Sequence, residues 1–583
     1  MQKRWVLKEN GSPDVVKHLS EELNISEILS NLLVQRGITT FDESKDFFRP
    51  EIIKLHDPFL MKDMDIAVER IERAIRTDEK ILVYGDYDVD GTSSVALVYS
   101  FLNKALNDST IPNKIGYYIP DRYTEGYGVS FLGIDFAKDN GFSLIICLDC
   151  GIKAVEKIRY AREKGIDFIV CDHHLPGYDK ETGNELLPDA IAILDPKRKD
   201  CNYPFDELSG CGIGFKLMHA YSQKNNIPFR ELEQCLDLTA ISIASDIVPI
   251  IDENRILTHF GLKRINEKPR PGIKAILDLN NIKKKLTVNN LVFIIGPRIN
   301  AAGRIDSGRK AVELLLSVDD EAAYASGRSI DINNTERRNI DAHITLKAIE
   351  MIERDSNLID RKTTVLFDPG WHKGVIGIVA SRVIEKYYRP TIILTKSNGM
   401  ATGSARTVKN FNVYQAIEAC SDLLEQFGGH KYAAGLTLKM ENLPAFKEKF
   451  ERIVSDMIDD SLLVPEVEID AEIKLSDITQ NFFNIINQFA PFGPMNMMPV
   501  FKTCNVVDKG FARIVGNNHL KINIIDQNSS NPGFSAIAFK QGEHLKTVSQ
   551  NAPFDICYTI EENEWNGVVS LQLNIKDIRA AKL

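Results

Sequence analysis

The sequence holds no apolar run near the roughly 20 residues needed to cross a bilayer, and its start, MQKRWVLKENGSPDVV, lacks the apolar core of a signal peptide. A cytoplasmic protein without a membrane partner is expected. It has no disulfide framework: nine cysteines, an odd number scattered over 583 residues, fit free thiols in a reducing compartment. It has no basic excess. A net charge of −10 and a pI near 5.7 exclude a globally positive surface that grips duplex DNA by counterion release, though not a narrow basic channel. Repeats and low-complexity segments are absent, which leaves solenoids and linker-like chains aside.

What is present is ordinary for globular protein: 44% hydrophobic and 26% charged residues in a 65.6 kDa chain. Such a length exceeds one core and divides into several domains. Four apolar, β-branched-rich runs each stop at an acid: ILVY before Gly85-Asp86, SLIICL before Asp149, FIV before Cys171-Asp172, and AIAIL before Asp195. Helix-like stretches such as SSVALVYSFLNKAL separate them. Continuous apolar strands alternating with helices predict an α/β domain with a parallel sheet covered on both faces, over 51–306 after an amino-terminal segment 1–50. Ligands in such sheets bind beyond the carboxyl ends of the strands, where these acids fall.

From 307 to 355 the chain is charged and free of proline, which predicts a long, largely exposed connecting helix. TTVLFD, IGIVASRVIEKYY and TIILT then announce a smaller α/β domain over 356–462. Short alternating runs such as HLKINIIDQ and VSLQLNIKDI, divided by Gly, Asn and Pro, predict a β-barrel over 463–583. It carries Phe501, Phe511, Phe534, Phe539 and Trp565, most of them expected in the core. Trp5 is a candidate to pack back onto this lobe.

The chemistry concentrates in four places. Tyr84-Gly85-Asp86-Tyr87-Asp88-Val89-Asp90-Gly91 sets three carboxylates at alternate positions directly after a strand, where like charges raise one another's pKa unless a cation relieves them. An acidic surface turn is the bland alternative. Asp149 in CLDCG ends the next strand, where a lone Asp is more often a helix cap. The flanking Cys147 and Cys150 lack a second pair at zinc-finger spacing and, three apart on a strand, point to opposite faces, so they read as core residues. Asp172-His173-His174 ends the third strand, and adjacent residues there point opposite ways: one His binds metal, while the other supports a metal ligand or touches substrate. Asp246 closes the helix-like LDLTAISIASD and alone would read as a helix-end acid. Together these residues form an oxygen-rich set with one imidazole, suited to two divalent cations, Mn²⁺ or Mg²⁺, which would activate water and clamp a phosphoryl oxygen.

YGDYDVDG, LDCG, VCDHH and ASDIVP, in this order, closely resemble the motifs of the DHH phosphoesterase superfamily. GPRINAAGR, GWHKGVIGIVASR, GSAR and FGGHKYAAG extend the likeness to its bacterial single-stranded-DNA exonucleases over nearly the whole chain. The resemblance implies a DHH domain, a DHHA1 substrate-binding domain and an OB barrel, in which the aromatics outside the core would be stacking platforms. It implies 5′-to-3′ hydrolysis of single-stranded DNA in repair and recombination by a monomer that a helicase or single-strand-binding protein supplies. It assigns Asp88 and Asp149 to one metal, and Asp90, Asp149, His173 and Asp246 to the other. Asp86, Asp172, His174 and His430 become catalytic or supporting groups. Arg298, Asn300 and Arg304 would line a strand channel, Gly428 and Gly429 would admit a phosphate, and Arg122, Ser404 and Arg406 would hold the 5′-phosphate. The family often has His where this chain has Tyr84, which implies fewer ligands for the first ion. Two other readings are a phosphodiesterase for short RNA or cyclic dinucleotides, disfavoured by the barrel, and a non-catalytic scaffold, disfavoured by retention of every motif acid.

Overall fold

The computed structural model describes residues 3–105, 114–179, 181–526, 533–550 and 552–581, and they form two units: Arg49–Arg338 with Pro491–Met497, and Met1–Phe48 with Asn339–Ala490 and Met498–Leu583. In the first, five parallel strands lie in the order Ile115–Tyr118, Lys80–Gly85, Phe142–Leu148, Asp167–Cys171, Ala192–Leu194. Both faces are buried. Ile81, Val83, Ile146 and Ile169 face a core shared with the helices Met64–Arg76, Val89–Ala105 and Gly210–Lys224. Leu82, Tyr84, Cys147 and Val170 face a second core under Phe131–Asp139 and Val155–Glu163. Period-two alternation thus divides the buried apolar strand residues between two layers, as the continuous apolar runs require. The Leu236–Asp246 helix, buried along nearly its whole length, packs against Val89–Ala105 and brings its carboxyl end to the strand ends.

Two segments differ in detail from the expectation. The 307–355 segment is two helices, Gly308–Leu316 and Asp320–Arg354, because Asp319 caps the second by accepting the Ala322 N–H (2.7 Å). The first helix buries Ala311, Val312, Leu314 and Leu315 in the core of the parallel-sheet unit. The long helix is not simply exposed: Ala323 and Ile330 are buried early on it, and Ile344, Ala348 and Ile352 pack with Leu366, Trp371 and Val379. Pro491–Met497, inside the expected barrel, is built into the first unit, where Pro494 accepts the Ile250 N–H (2.8 Å).

In the second unit a mixed sheet runs Gln426–His430, Ala433–Leu438, Met400–Arg406, Thr391–Ser397, Thr364–Phe367, with only the last pair parallel. The helices Ile376–Lys386 and Leu443–Met457 cover its two faces. A seven-stranded sheet follows, closed into a barrel by pairing of Phe501–Asp508 with His519–Asp526. Trp5 does pack here: Nε1 donates to Asp577 (2.7 Å) and the Arg579 guanidinium covers the ring at 4.3 Å. Of the barrel aromatics, Phe501 is buried, Phe534 half-buried, and Phe511 and Phe539 exposed; the Trp565 side chain lies outside the described residues. No helix among the described residues is long and apolar enough to cross a membrane.

Candidate metal centre and substrate contacts

The carboxyl ends of three neighbouring strands and three helix ends converge on one acidic cluster. After the Lys80–Gly85 strand the chain turns at once into the buried helix Val89–Ala105, with Gly91 so close to Asp86 that a Cβ would lie 2.4 Å from the Asp86 carbonyl oxygen. Asp86 is buried; one carboxylate oxygen accepts the Gly128 N–H (3.0 Å) and the other has no partner. Asp88 accepts the Gly91 N–H (3.1 Å). Asp90 takes the Gly210 and Cys211 N–H groups (both 2.7 Å) and the Ser242 hydroxyl (2.7 Å), so it also caps the Gly210–Lys224 helix.

Asp149 leaves its strand in the left-handed region (φ 60°) and is clamped against Gly210, where a Cβ would lie 2.6 Å from the Asp149 Cβ. That turn brings the flanking thiols to one side: Cys147 and Cys150 are 3.4 Å apart, not on opposite faces, because Cys150 has left the strand. Asp172 accepts the Ile152 N–H (2.9 Å) and the His174 Nδ1–H (2.7 Å). His173 turns the other way, its Nε2 lying 3.2 Å from Asp149, 3.5 Å from Asp246 and 3.9 Å from Asp90. The strand stops at Cys171, so its alternation does not govern the two histidines: their rings lie 4.6 Å apart, and His174 differs from His173 in being held by Asp172.

The electrostatics ask for a cation. Burial, then the charge of Asp88, raises the Asp86 carboxyl well above the ordinary range and Asp90 to about 6. Burial and the neighbouring carboxylates raise Asp149 and Asp246 in the same direction. Burial, joined by the charge of His174, pulls His173 down to about 3, which keeps it a neutral potential ligand. Burial pulls His174 down too, but Asp172 outweighs it and lifts His174 to about 9. Ligand atoms of Asp149, His173 and His174, and of Asp90, His173 and Asp246, lie within 4.8 Å of one another. A neutral imidazole nitrogen facing three carboxylates fits hard divalent cations. Asp88 belongs to neither close group, though its charge reaches Asp86, Asp90 and Asp149.

Tyr84 stands apart from the cluster. Its phenol donates to the Gly128 carbonyl (3.0 Å), accepts the Ser130 N–H (3.2 Å) and stacks on Tyr118. Asp195 is an acid that sequence reasoning passed over although it ends the fourth apolar run. It is buried, accepts the Lys197 N–H (2.8 Å), has an unpartnered Oδ2, and is pushed to about 8 by burial and Asp172.

Around the cluster, Arg122 stacks on Tyr87 (4.0 Å) and donates to the Gly303 carbonyl (3.0 Å), and its charge reaches Asp86. The charge of Arg304 also reaches Tyr87. Asn300 keeps a buried Oδ1 without a partner. Arg298 is committed elsewhere: it donates to Asp331 (2.8 Å), to the Ile294 carbonyl (2.8 Å) and to Asn280, so a phosphate would have to displace those partners. In the other unit, Arg406 donates to the Ser404 hydroxyl (3.0 Å), and both lie against Gly377 in the first turn of the Ile376–Lys386 helix. Gly428, Gly429 and His430 form an exposed edge strand and not a turn. Gly429 is required there: at φ 146° a Cβ would lie 2.3 Å from the Ala433 carbonyl oxygen. His430 Nδ1 accepts the Tyr432 N–H (3.3 Å).

Comparison with known proteins agrees along the chain. The DHH family N-terminal domain matches residues 80–243, the DHHA1 domain 360–456, and the RecJ OB domain 469–577. The single-stranded-DNA-specific exonuclease RecJ of Bacillus subtilis is 36% identical over 578 residues, 98% of this chain and 70% of the relative. The crystal structure of RecJ in complex with Mn²⁺ from Thermus thermophilus is similar with a TM-score of 0.84 at 25% identity, over 100% of this chain and 80% of that one. Its counterpart in complex with Mg²⁺ gives 0.78 at 24%, over 100% and 79%. With all three domain types in order and a relative this similar over most of both sequences, the chain belongs to the RecJ family.

Proposed function

We propose that this chain is a single-stranded-DNA-specific exonuclease that releases 5′-mononucleotides in the 5′-to-3′ direction, acting in the cytoplasm in DNA repair and recombination. The observation that carries the reading is the His173-centred cluster, in which Nε2 meets three buried or rim carboxylates within 4 Å. Asp88 and Asp149 would hold one divalent cation, and Asp90, Asp149, His173 and Asp246 the other, Mn²⁺ or Mg²⁺. Such ions, when bound, neutralise the acids, lower the pKa of water and polarise a phosphoryl oxygen.

The protein's own part is positioning. Gly210 and Cys211 fix Asp90 through backbone N–H groups, and Gly210 clamps Asp149. Asp86 and Asp172 brace the loops at Gly128 and Ile152. In the first unit His174, oriented by Asp172 through Nδ1, would offer its other nitrogen to the scissile phosphate; in the second, His430 on its glycine edge would be a phosphate contact. In the first unit Arg122 would hold the terminal 5′-phosphate that sets direction; in the second, Ser404 and Arg406 would contact phosphate, with Gly428 and Gly429 admitting it close to the backbone. Asn300 and Arg304 contact the strand, while Arg298 holds their helix in place. The division of labour follows a catalytic domain over 51–306, a linking region over 307–355, a substrate-binding domain over 356–462 and a strand-gripping barrel over 463–583. A helicase or single-strand-binding protein would supply the strand to a monomer.

Digesting 5′- and 3′-labelled single strands, duplex DNA and short RNA with Mn²⁺, Mg²⁺ or EDTA tests this. Mononucleotides should leave the 5′ end of single strands only, with metal present, and Asp149→Ala should abolish release. Equal rates from both ends would refute the polarity. Preference for RNA a few nucleotides long would favour the phosphodiesterase reading.

A further inference from the structure

Fifteen non-glycine residues among those described have positive φ, and most are Asn or Asp; Ile247 (φ 62°, ψ 30°) is the one β-branched side chain among them. A β-branched residue is the worst choice for the left-handed region, and glycine would end the Leu236–Asp246 helix there without strain. Such strain persists where the side chain itself is needed. Packing does not need it: Ile247 is 64% exposed, and it directly follows Asp246.

A second exposed apolar side chain stands on a turn packed against the same helix. Leu291–Ile295 is a single π-helical turn that packs on the same helix, and the Gly296 that follows sits so tightly that a Cβ would be 2.7 Å from the Ser245 hydroxyl. Turns of this kind re-aim side chains and cluster at functional sites. This one leaves Phe293 73% exposed. At the strand ends Leu175, next to His174, is 60% exposed, and Tyr127, edge-on to the His174 ring at 6.1 Å with its hydroxyl on the Asp149 carbonyl (3.2 Å), is 49% exposed.

We propose that Ile247 and Phe293, with Leu175 and Tyr127, form an apolar collar around the carboxylate cluster that receives the faces of unstacked nucleobases beside the scissile phosphate. The inference rests on the nuclease reading above and adds what that reading lacks, a contact to bases. The cluster itself recognises only phosphate and metal. Apolar and aromatic side chains grip any base by its face, so the contact is independent of sequence, and paired bases inside a duplex do not offer those faces.

The test compares a single strand with one whose first nucleotides at the 5′ end are abasic, so that phosphates match and only bases differ. The unaltered chain should favour the ordinary strand by about tenfold, the value of one lost stacking contact. In Ile247→Gly and Phe293→Ala that preference should collapse toward one through slower release from the ordinary strand, with Mn²⁺ affinity unchanged by titration calorimetry. Ile247→Gly should also melt no lower than the parent, because glycine relieves the backbone, so lost preference cannot be put down to misfolding. Equal rates on both strands by the unaltered chain, or variants that keep its preference, would overturn the collar. Should no strand be cleaved, the nuclease reading fails; the collar is then judged by strand affinity, and equal binding of ordinary and abasic strands overturns it.

Discussion

Two buried charged clusters lie in the same unit and are built on opposite principles. Around Lys216 and Glu253, both fully buried, every charged atom is answered: the ammonium donates to Glu253 (2.8 Å) and to the His56 carbonyl (2.5 Å), and Glu253 also takes the Tyr203 hydroxyl (2.6 Å) and the His56 N–H (2.9 Å). Around His173, carboxylates outnumber any cation the chain supplies, and Asp86 keeps an oxygen with no partner. The first cluster satisfies itself, as buried ions must if they serve only the fold. The second is left deficient by one kind of group, positive charge, and that deficiency is what makes it a receptor for cations.

The contrast is broken most severely at Asp149. Asp149→Asn should lower nuclease activity on the order of 10³-fold or more, as when one member of a cooperating catalytic set is lost. The same change should raise the unfolding midpoint of the EDTA-treated protein, because it removes a carboxylate that burial and Asp90 hold unfavourably. Lys216→Met should do the reverse. Glu253 would be left buried without its cation, at about 3–5 kcal/mol in urea unfolding, while the folded fraction keeps its activity. A destabilised Asp149→Asn or a harmless Lys216→Met would erase the distinction.

Much of this was legible in the sequence because each acid of the cluster ends an apolar run, and a run that stops at an acid marks a strand end. Trp5 and the barrel could be read for similar reasons of pattern. What stayed hidden depends on single backbone turns or on partners far along the chain. The left-handed Asp149 turns Cys150 back toward Cys147. Asp319 starts a new helix where composition looks continuous. Pro491–Met497 joins a unit more than 150 residues upstream through backbone contacts that carry no side-chain signature. Arg298 looks like any exposed arginine until Asp331 and Asn280 are seen beside it.

Acidity gives a finer probe of the deficient cluster. An acid whose pKa is raised by folding contributes stability below its unfolded value, near 3.9, and loses it as pH rises through the folded value: about 6 for Asp90 and about 8 for Asp195. His174 loses its contribution in the same direction, from its unfolded value near 6.5 up to about 9. His173, lowered to about 3, acts oppositely, but its contribution is complete above its unfolded value. Metal-free protein should therefore lose stability steadily from neutral to mildly alkaline pH, and Mn²⁺ should restore it. Urea midpoints in EDTA would show this, with a shallower fall in Asp195→Asn; an unchanged slope would mean that Asp195 is not held protonated.

The smallest effect is expected at Tyr84, and it separates position in a motif from position in space. Strand alternation sends this side chain to the face opposite the helix that carries Asp90, among Leu82, Cys147 and Val170. Its hydroxyl is answered by Gly128 and Ser130 and by no carboxylate of the cluster. Tyr84→Phe should cost about 1–2 kcal/mol, since two buried backbone groups lose a partner, and should leave Mn²⁺ affinity where it was. Histidine at this position, aimed into the same apolar layer, should add no ligand and destabilise further by exchanging a well-packed ring for a smaller polar one. A rise in Mn²⁺ affinity in Tyr84→His would show that the side chain reaches the metal centre after all.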